Sequence, residues 1–379
     1  MTGTALGQLI ALAFSVVVSR LYSPTEFATL EQFAMILGVL GVVAGARYEA
    51  AIMLPKSNAD ARHLLALVMR IGFWFSITLT AVCFLLEDAI IRWLGNEGLR
   101  GLTWLIGPSV FFFIVTTALG YWFSRQKHYK PVATGKTLFS VISEPFKVIF
   151  ANFKLGASGL VWSVSAAHFV SAIYSWWRFM VLTPEKLKGI DKERMRSLAS
   201  EYKDYPKYSM FGTLLNRLSQ WLHIAMFGYL YGAAGLISIG FLGLSRRIIM
   251  APLSMLATSF SQVYFQRITE IADEKLKGYY LKSLGRFALI GLAMIVFIWV
   301  LPDNSMAVIF GNEWYDVMMY LRILVFWFAA NFTASALSFI LHRIRRQKLI
   351  FQLDALHFIL ILIALYGAWW SGLEPLEAM

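Results

Sequence analysis

Apolar runs bounded by charged or turn residues recur along the whole chain. They predict eleven helices, at about 3–22, 28–50, 64–86, 101–124, 132–153, 157–181, 208–230, 233–260, 283–301, 317–341 and 349–371. One apolar stretch is too long for a single crossing. From Leu218 to Ser245 there is no Asp, Glu, Lys or Arg, and the run is bracketed by Arg217 on one side and by Arg246 and Arg247 on the other. YGAAG at Tyr231–Gly235 supplies a turn, so the stretch reads as two membrane helices folded into a hairpin. Counted from Gly232, Arg217 lies 15 residues down one leg and Arg246 lies 14 down the other. At about 1.5 Å per residue both sit roughly 20 Å below the apex, inside a hydrocarbon layer of about 30 Å. A guanidinium there costs on the order of 3 kcal/mol, so it should face a wet cavity or an anion rather than lipid.

Composition agrees with this pattern. Of the 379 residues 58% are hydrophobic and 15% charged, against about 25% charged in soluble domains, which makes the chain an all-α polytopic membrane protein. The net charge of +12 would suggest nucleic acid in a soluble protein, but the positive-inside rule accounts for it better. Connections after even-numbered helices hold 24 Lys and Arg, whereas the opposite side has only Arg20, Arg92, Arg100 and Lys154. That split puts the N-terminus in the cytoplasm and the C-terminus outside. The first apolar run lacks a basic leader and reads as a permanent helix. A single cysteine, Cys83, excludes an internal disulfide and a cysteine-based metal site, and the six histidines lack ligand spacing. Neither a metal nor a cofactor is expected.

The expected organisation is an N-terminal six-helix lobe (1–182), a cytoplasmic linker (183–206) with a short amphipathic helix, and a C-terminal five-helix lobe (207–379). GTALGQL at Gly3 and GTLLNRL at Gly212 match at an offset of 209, which suggests parallel repeats with a site between them. Under that offset Gln8 answers Arg217. Thr213, Asn216, Arg217, Gln220 and His223 form one polar stripe, and Thr4, Gln8, Ser15 and Ser19 form its counterpart. The substrate-binding candidates are therefore Arg217, Arg246, Arg247, Gln8, Asn216 and Gln220. For the neutral residues, bonding between packed helices is the competing reading.

Glu144 and Lys147, beside Pro145, are three apart and either pair with each other or couple an ion. Asp354 and His357 have the same spacing, and a solvated helix end competes as the explanation of Asp354. Arg47 and Glu49 in ARYEAAIMLP form either a gate or an interface marker. Enzyme signatures fall away: KPVATGKT at Lys130 lacks the first glycine of a phosphate loop, and no HExxH or GxSxG occurs. NFT at Asn331 fits a glycosylation triplet but sits in mid-helix. No enzymatic activity is expected.

Several segments carry a family likeness: SRLYSPTEFATLEQF from Ser19, ARYEAAIMLPKSNADA from Ala46, PKYSMFGTLLNRLSQWL from Pro206, GFLGLSRRIIMAPLSMLATSFSQVYFQR from Gly240 and IFGNEWYDVMMYLRIL from Ile309. Together, and in this order, they resemble the bacterial O-antigen and polysaccharide flippases of the multidrug, oligosaccharidyl-lipid and polysaccharide exporter superfamily. The resemblance implies a V-shaped pair of lobes in the bacterial inner membrane. It implies that a polyprenyl-diphosphate-linked oligosaccharide is flipped from the cytoplasmic to the periplasmic leaflet by alternating access through a cationic central cavity. Membrane lipids are expected partners, with a glycan polymerase and assembly proteins beside them; nucleic acid is not, and the chain is expected to act as a monomer. The rivals are a proton- or sodium-coupled multidrug exporter and a membrane glycan polymerase or glycosyltransferase. A pump for organic cations should line its cavity with carboxylates, and a polymerase of this kind should carry a long outer loop. Two features depart from the family: Ala28 replaces a usual glycine, and the twelfth helix that the repeat demands is missing after GLEPLEAM.

Overall fold

The computed structural model describes residues 2–185, 187–271, 273–337 and 347–377. Fourteen helices are labelled here: α1 (Thr2–Ser19), α2 (Pro24–Ala44), α3 (Tyr48–Ala51), α4 (Asn58–Leu85), α5 (Glu87–Leu94), α6 (Ile106–Arg125), α7 (Tyr129–Asn152), α8 (Ala157–Leu182), α9 (Lys192–Glu201), α10 (Met210–Glu270), α11 (Asp273–Val300), α12 (Ser305–Phe310), α13 (Val317–Leu337) and α14 (Gln347–Trp370). No strand occurs among the described residues. Among the described residues, each of the eleven sequence-predicted segments falls on a helix, and seven helical spans are long and apolar enough to cross a membrane. One of the seven, Tyr205–Ile249, contains the hairpin.

The hairpin turns where the sequence says it should. Gly232 interrupts α10 with φ 57° and ψ −127°, a conformation that favours glycine. The legs then run side by side, because Arg246 of the second leg stacks on Trp221 of the first. Elsewhere short polar residues start the helices. Ser23 and Glu26 form a capping box in front of α2, with Pro24 at its first position. Asp191 caps α9 by accepting from the backbone N–H groups of Arg194 and Glu193, which hold its carboxyl below the usual range.

The faces of the bundle differ. On the face with few basic residues, the helices before the linker and those after it are pinned together. The indole Nε1 of Trp314 donates to the Ser19 carbonyl at 2.6 Å, and the Ser19 hydroxyl donates to the Phe310 carbonyl at 3.0 Å. Arg20 donates to the carbonyls of Val308 (2.8 Å) and Ile309 (3.1 Å), closing the C-terminal end of α12. Phe27 meets fully buried Trp314 edge-on at 4.8 Å. Backbones touch as well: a Cβ at Gly228 would collide with the Leu94 carbonyl, and one at Gly240 with that of Pro24.

On the basic face the linker is bound to the helices before it. Arg194 grips Asp60 with two bonds of 2.7 and 2.8 Å, Arg62 pairs with Glu185 at 2.7 Å, and the Asp191 N–H donates to His63 Nε2 at 3.1 Å. Toward this face α2 still meets the first leg of α10 where Gly38 lies against Trp221. Below that level Tyr208, Phe211, Asn216 and Arg217 are exposed.

Candidate functional site

The hairpin sets its arginines by geometry alone. Arg217 and Arg246 stand at comparable depth, but their legs run in opposite directions, and a helical side chain leans toward its own N-terminus. Arg246 therefore reaches up toward the apex, and Arg217 reaches down toward the basic face. Arginines of one depth therefore do not share one setting. Arg217 is exposed and forms no hydrogen bond or ion pair with a described residue. Asn216 and Gln220 satisfy each other one turn apart, with Gln220 Nε2 donating to Asn216 Oδ1 at 2.9 Å. Gln8 is half-buried on α1.

Arg246 is half-buried with its guanidinium 4.6 Å from the centroid of the Trp221 ring. Its Nη1 lies 3.5 Å from His223 Nε2, and its Nη2 donates to the Gln220 carbonyl at 3.5 Å. These are long bonds and a ring face, none of which neutralises the charge. Beside it opens a cavity of about 220 Å³, whose polar lining residues are Ser219, Gln220, His223, Arg246 and His357. Its walls are apolar and come from α10, α13 and α14, including Trp327, Phe328 and Leu365. This cavity lies within the C-terminal helices rather than between the halves.

Arg247 has the opposite setting. One residue further along, it faces α2, where its Nη2 pairs with Glu31 Oε1 at 3.3 Å and its guanidinium lies 5.4 Å from the Phe27 ring centroid. Glu31 is buried. The anion that Arg247 faces is thus a carboxylate from a distant helix. A second buried pair stands nearby: Lys147 Nζ and Glu144 Oε1 are 2.6 Å apart, and Lys147 lies within electrostatic reach of Arg247 and Glu31. The Tyr22 hydroxyl ties α7 to this level by donating to the Lys147 carbonyl at 2.7 Å.

Arg47 and Glu49 form an ion pair of 3.4 Å at the basic end of α2, where Ala46 and Arg47 both take the left-handed conformation. Neither meets the arginine site. The side chain of Asp354 lies outside the described residues. No group of three His, Cys, Asp or Glu able to hold a metal occurs among the described residues. A further cavity of about 440 Å³, lined by Phe113, Phe139, Lys136 and His168 among others, lies between α6, α7 and α8. Sequence reading missed Glu31 and Trp221. The signal for Glu31 was present, since a carboxylate seven residues into an apolar helix needs a partner.

The structure is similar to an inward-facing multidrug resistance MATE family transporter of the MOP superfamily, with a TM-score of 0.73 at 16% identity over 96% of this chain and 86% of that one. It is also similar to a MATE structure in a bent conformation, with a TM-score of 0.62 at 14% identity over 99% and 88%. A MOP superfamily transporter from Pyrococcus furiosus, described as having a binding pocket of reverse polarity, gives 0.62 at 15% identity over 97% and 86%. A search of curated proteins finds no match. The chain thus has the fold of the MOP superfamily transporters, which are membrane carriers and not enzymes. Residues 17–319 match the family described as "Polysaccharide biosynthesis protein", and the chain belongs to that family.

Proposed function

We propose that this transporter flips a polyprenyl-diphosphate-linked oligosaccharide from the cytoplasmic to the periplasmic leaflet by alternating access, with Arg246 as the dock for the diphosphate. The observation that carries the reading is the place of Arg246 in the lining of its cavity. There a guanidinium inside a membrane helix pair faces open space and forms no ion pair with a described residue. Phosphate oxygens match its planar donors and replace the missing counter-charge. Arg217, bare on the basic face, draws the anion toward the site.

In this reading residues 1–182 and 207–379 act as two lobes, and the contacts of Ser19, Arg20 and Trp314 hold the periplasmic side shut while the basic, cytoplasmic side admits the lipid headgroup. Rocking of the lobes breaks those contacts and carries the dock across, with no covalent chemistry. The apolar walls accept the start of the lipid chain, and the glycan stays in water. A multidrug exporter for organic cations would need a carboxylate where Arg246 stands. Purified protein in vesicles should flip a fluorescent lipid-linked diphosphosugar and leave a permeant organic cation undisturbed. Transport of the cation without the lipid would overturn the proposal.

A further inference from the structure

Two histidines share the Arg246 cavity, and docking alone gives neither a task. His223 presents Nε2 3.5 Å from Arg246 Nη1. A guanidinium only donates, so that ring nitrogen is the acceptor and carries no proton. His357, on α14, lines the same cavity and makes no hydrogen bond with a described residue.

The other charges around His223 can be enumerated by element. The first leg of α10 brings Arg217, six residues earlier, and the second leg brings Arg246, with Arg247 turned away to Glu31. Glu31 of α2 acts on Arg246 from a distance. The cavity-lining residues of α13, which are Ile323, Leu324, Trp327 and Phe328, carry no charge. Helix α1 carries no charged residue, and α14 contributes His357, the side chain of Asp354 lying outside the described residues. The lining of the cavity therefore holds one fixed cation and two imidazoles, with no carboxylate among them.

Building on the docking role of Arg246, we infer that Arg246, His223 and His357 form a phosphate subsite that takes up its anion together with one proton. An entering phosphate oxygen claims the guanidinium N–H that now points at His223. Nε2 then faces an acceptor instead of a donor and bonds that oxygen as N–H, while the adjacent anion favours the ring's keeping its Nδ1 proton as well, as imidazolium. The proton comes from water at the cavity mouth and sits on His223 Nε2. It leaves to water when the phosphate leaves, so charge and proton both balance over a cycle. His357, which lines the same cavity, offers a second donor, and guanidinium plus imidazolium match the two charges of a diphosphate, one on each phosphate. The ligand class is a diphosphate, whether it joins a lipid to a sugar or is free.

The test uses the whole purified chain in detergent, titrated calorimetrically with inorganic pyrophosphate and, separately, with farnesyl diphosphate. Running each titration in two buffers of unlike ionisation heat counts the protons. Wild-type protein should take up about one more proton per bound anion than His223→Gln, and its affinity should fall more steeply with rising pH, by up to about tenfold per pH unit. His223→Asn serves as the second variant should the first fold poorly. Equal proton counts in wild type and both variants would overturn the inference, as would a proton lost only in His357→Gln. Farnesyl diphosphate binding without pyrophosphate binding supports a lipid source, and equal binding supports free phosphate. Failure of both to bind overturns the subsite. An Arg246→Ala protein that binds both normally removes the docking reading itself, whereas one that loses binding while His223→Gln keeps the wild-type count removes only the proton.

Discussion

Arg246 and Arg247 are adjacent in sequence, yet one turns into a cavity of its own half and the other is held by a carboxylate of the opposite half. A single residue step rotates a side chain by about 100° around a helix, enough to exchange one environment for another. Arg246 keeps its charge on the aromatic face of Trp221 beside open space. Arg247 spends its charge on Glu31, and so contributes to the seam between α2 and α10. The lesson is that a positive run inside a membrane bundle can contain one residue for the ligand and one for the fold. Counting arginines does not separate them; their partners do.

The largest effect is expected at the seam pair of Arg247 and Glu31. Arg247→Ala should leave the buried Glu31 carboxylate uncompensated and lower stability by about 3 kcal/mol, read as a fall in the melting temperature of the purified protein. The double variant Arg247→Met with Glu31→Gln should recover most of that loss, since removing both charges removes the burial cost. A double variant as unstable as the single would show that the pair is not what holds the seam.

A smaller effect is expected where backbones touch on the weakly charged face. Gly228→Ala and Gly240→Ala each place a methyl against a carbonyl of the other half, costing about 2 kcal/mol in the closed arrangement. Spin labels on Leu21 and Glu313 should report a longer separation in these variants than in wild type. Arg20→Ala removes the donors that close α12 and should cost about 1 kcal/mol, seen as faster thiol labelling of a cysteine at Asn312. The least effect is expected at the linker. There Arg194→Ala loses an exposed bidentate pair with Asp60 worth less than about 1 kcal/mol, which should appear as faster proteolysis of residues 183–206 with little change in melting temperature.

How much of this was legible in the sequence depends on the range of the interactions. The hairpin was legible because a charge-free run longer than one crossing, broken by Gly232, has few other solutions. The opposite reach of Arg217 and Arg246 follows from that hairpin once side-chain direction is considered. Glu31 as partner of Arg247 was not legible, because 216 residues separate them and no local pattern joins two helices. Trp221 reads as one more aromatic in an apolar helix, and only packing makes it the platform for Arg246. The Glu144 and Lys147 pair was legible as a pair by its spacing, but its burial beside the Arg247 and Glu31 pair was not. A cavity between the halves was expected from the repeat. The cavity that Arg246 lines is instead built by α13 and α14 closing over α10, contacts that hydropathy does not encode.

The central claim is that Arg246, and not its neighbour, holds the phosphorylated headgroup. It is tested most directly by the rate at which reconstituted vesicles flip a radiolabelled lipid-linked diphosphosugar, compared across wild type, Arg246→Ala and the charge-free Arg247→Met, Glu31→Gln variant. Flipping should fall to the protein-free background in the first variant and persist in the second. A wild-type rate in Arg246→Ala would contradict the account.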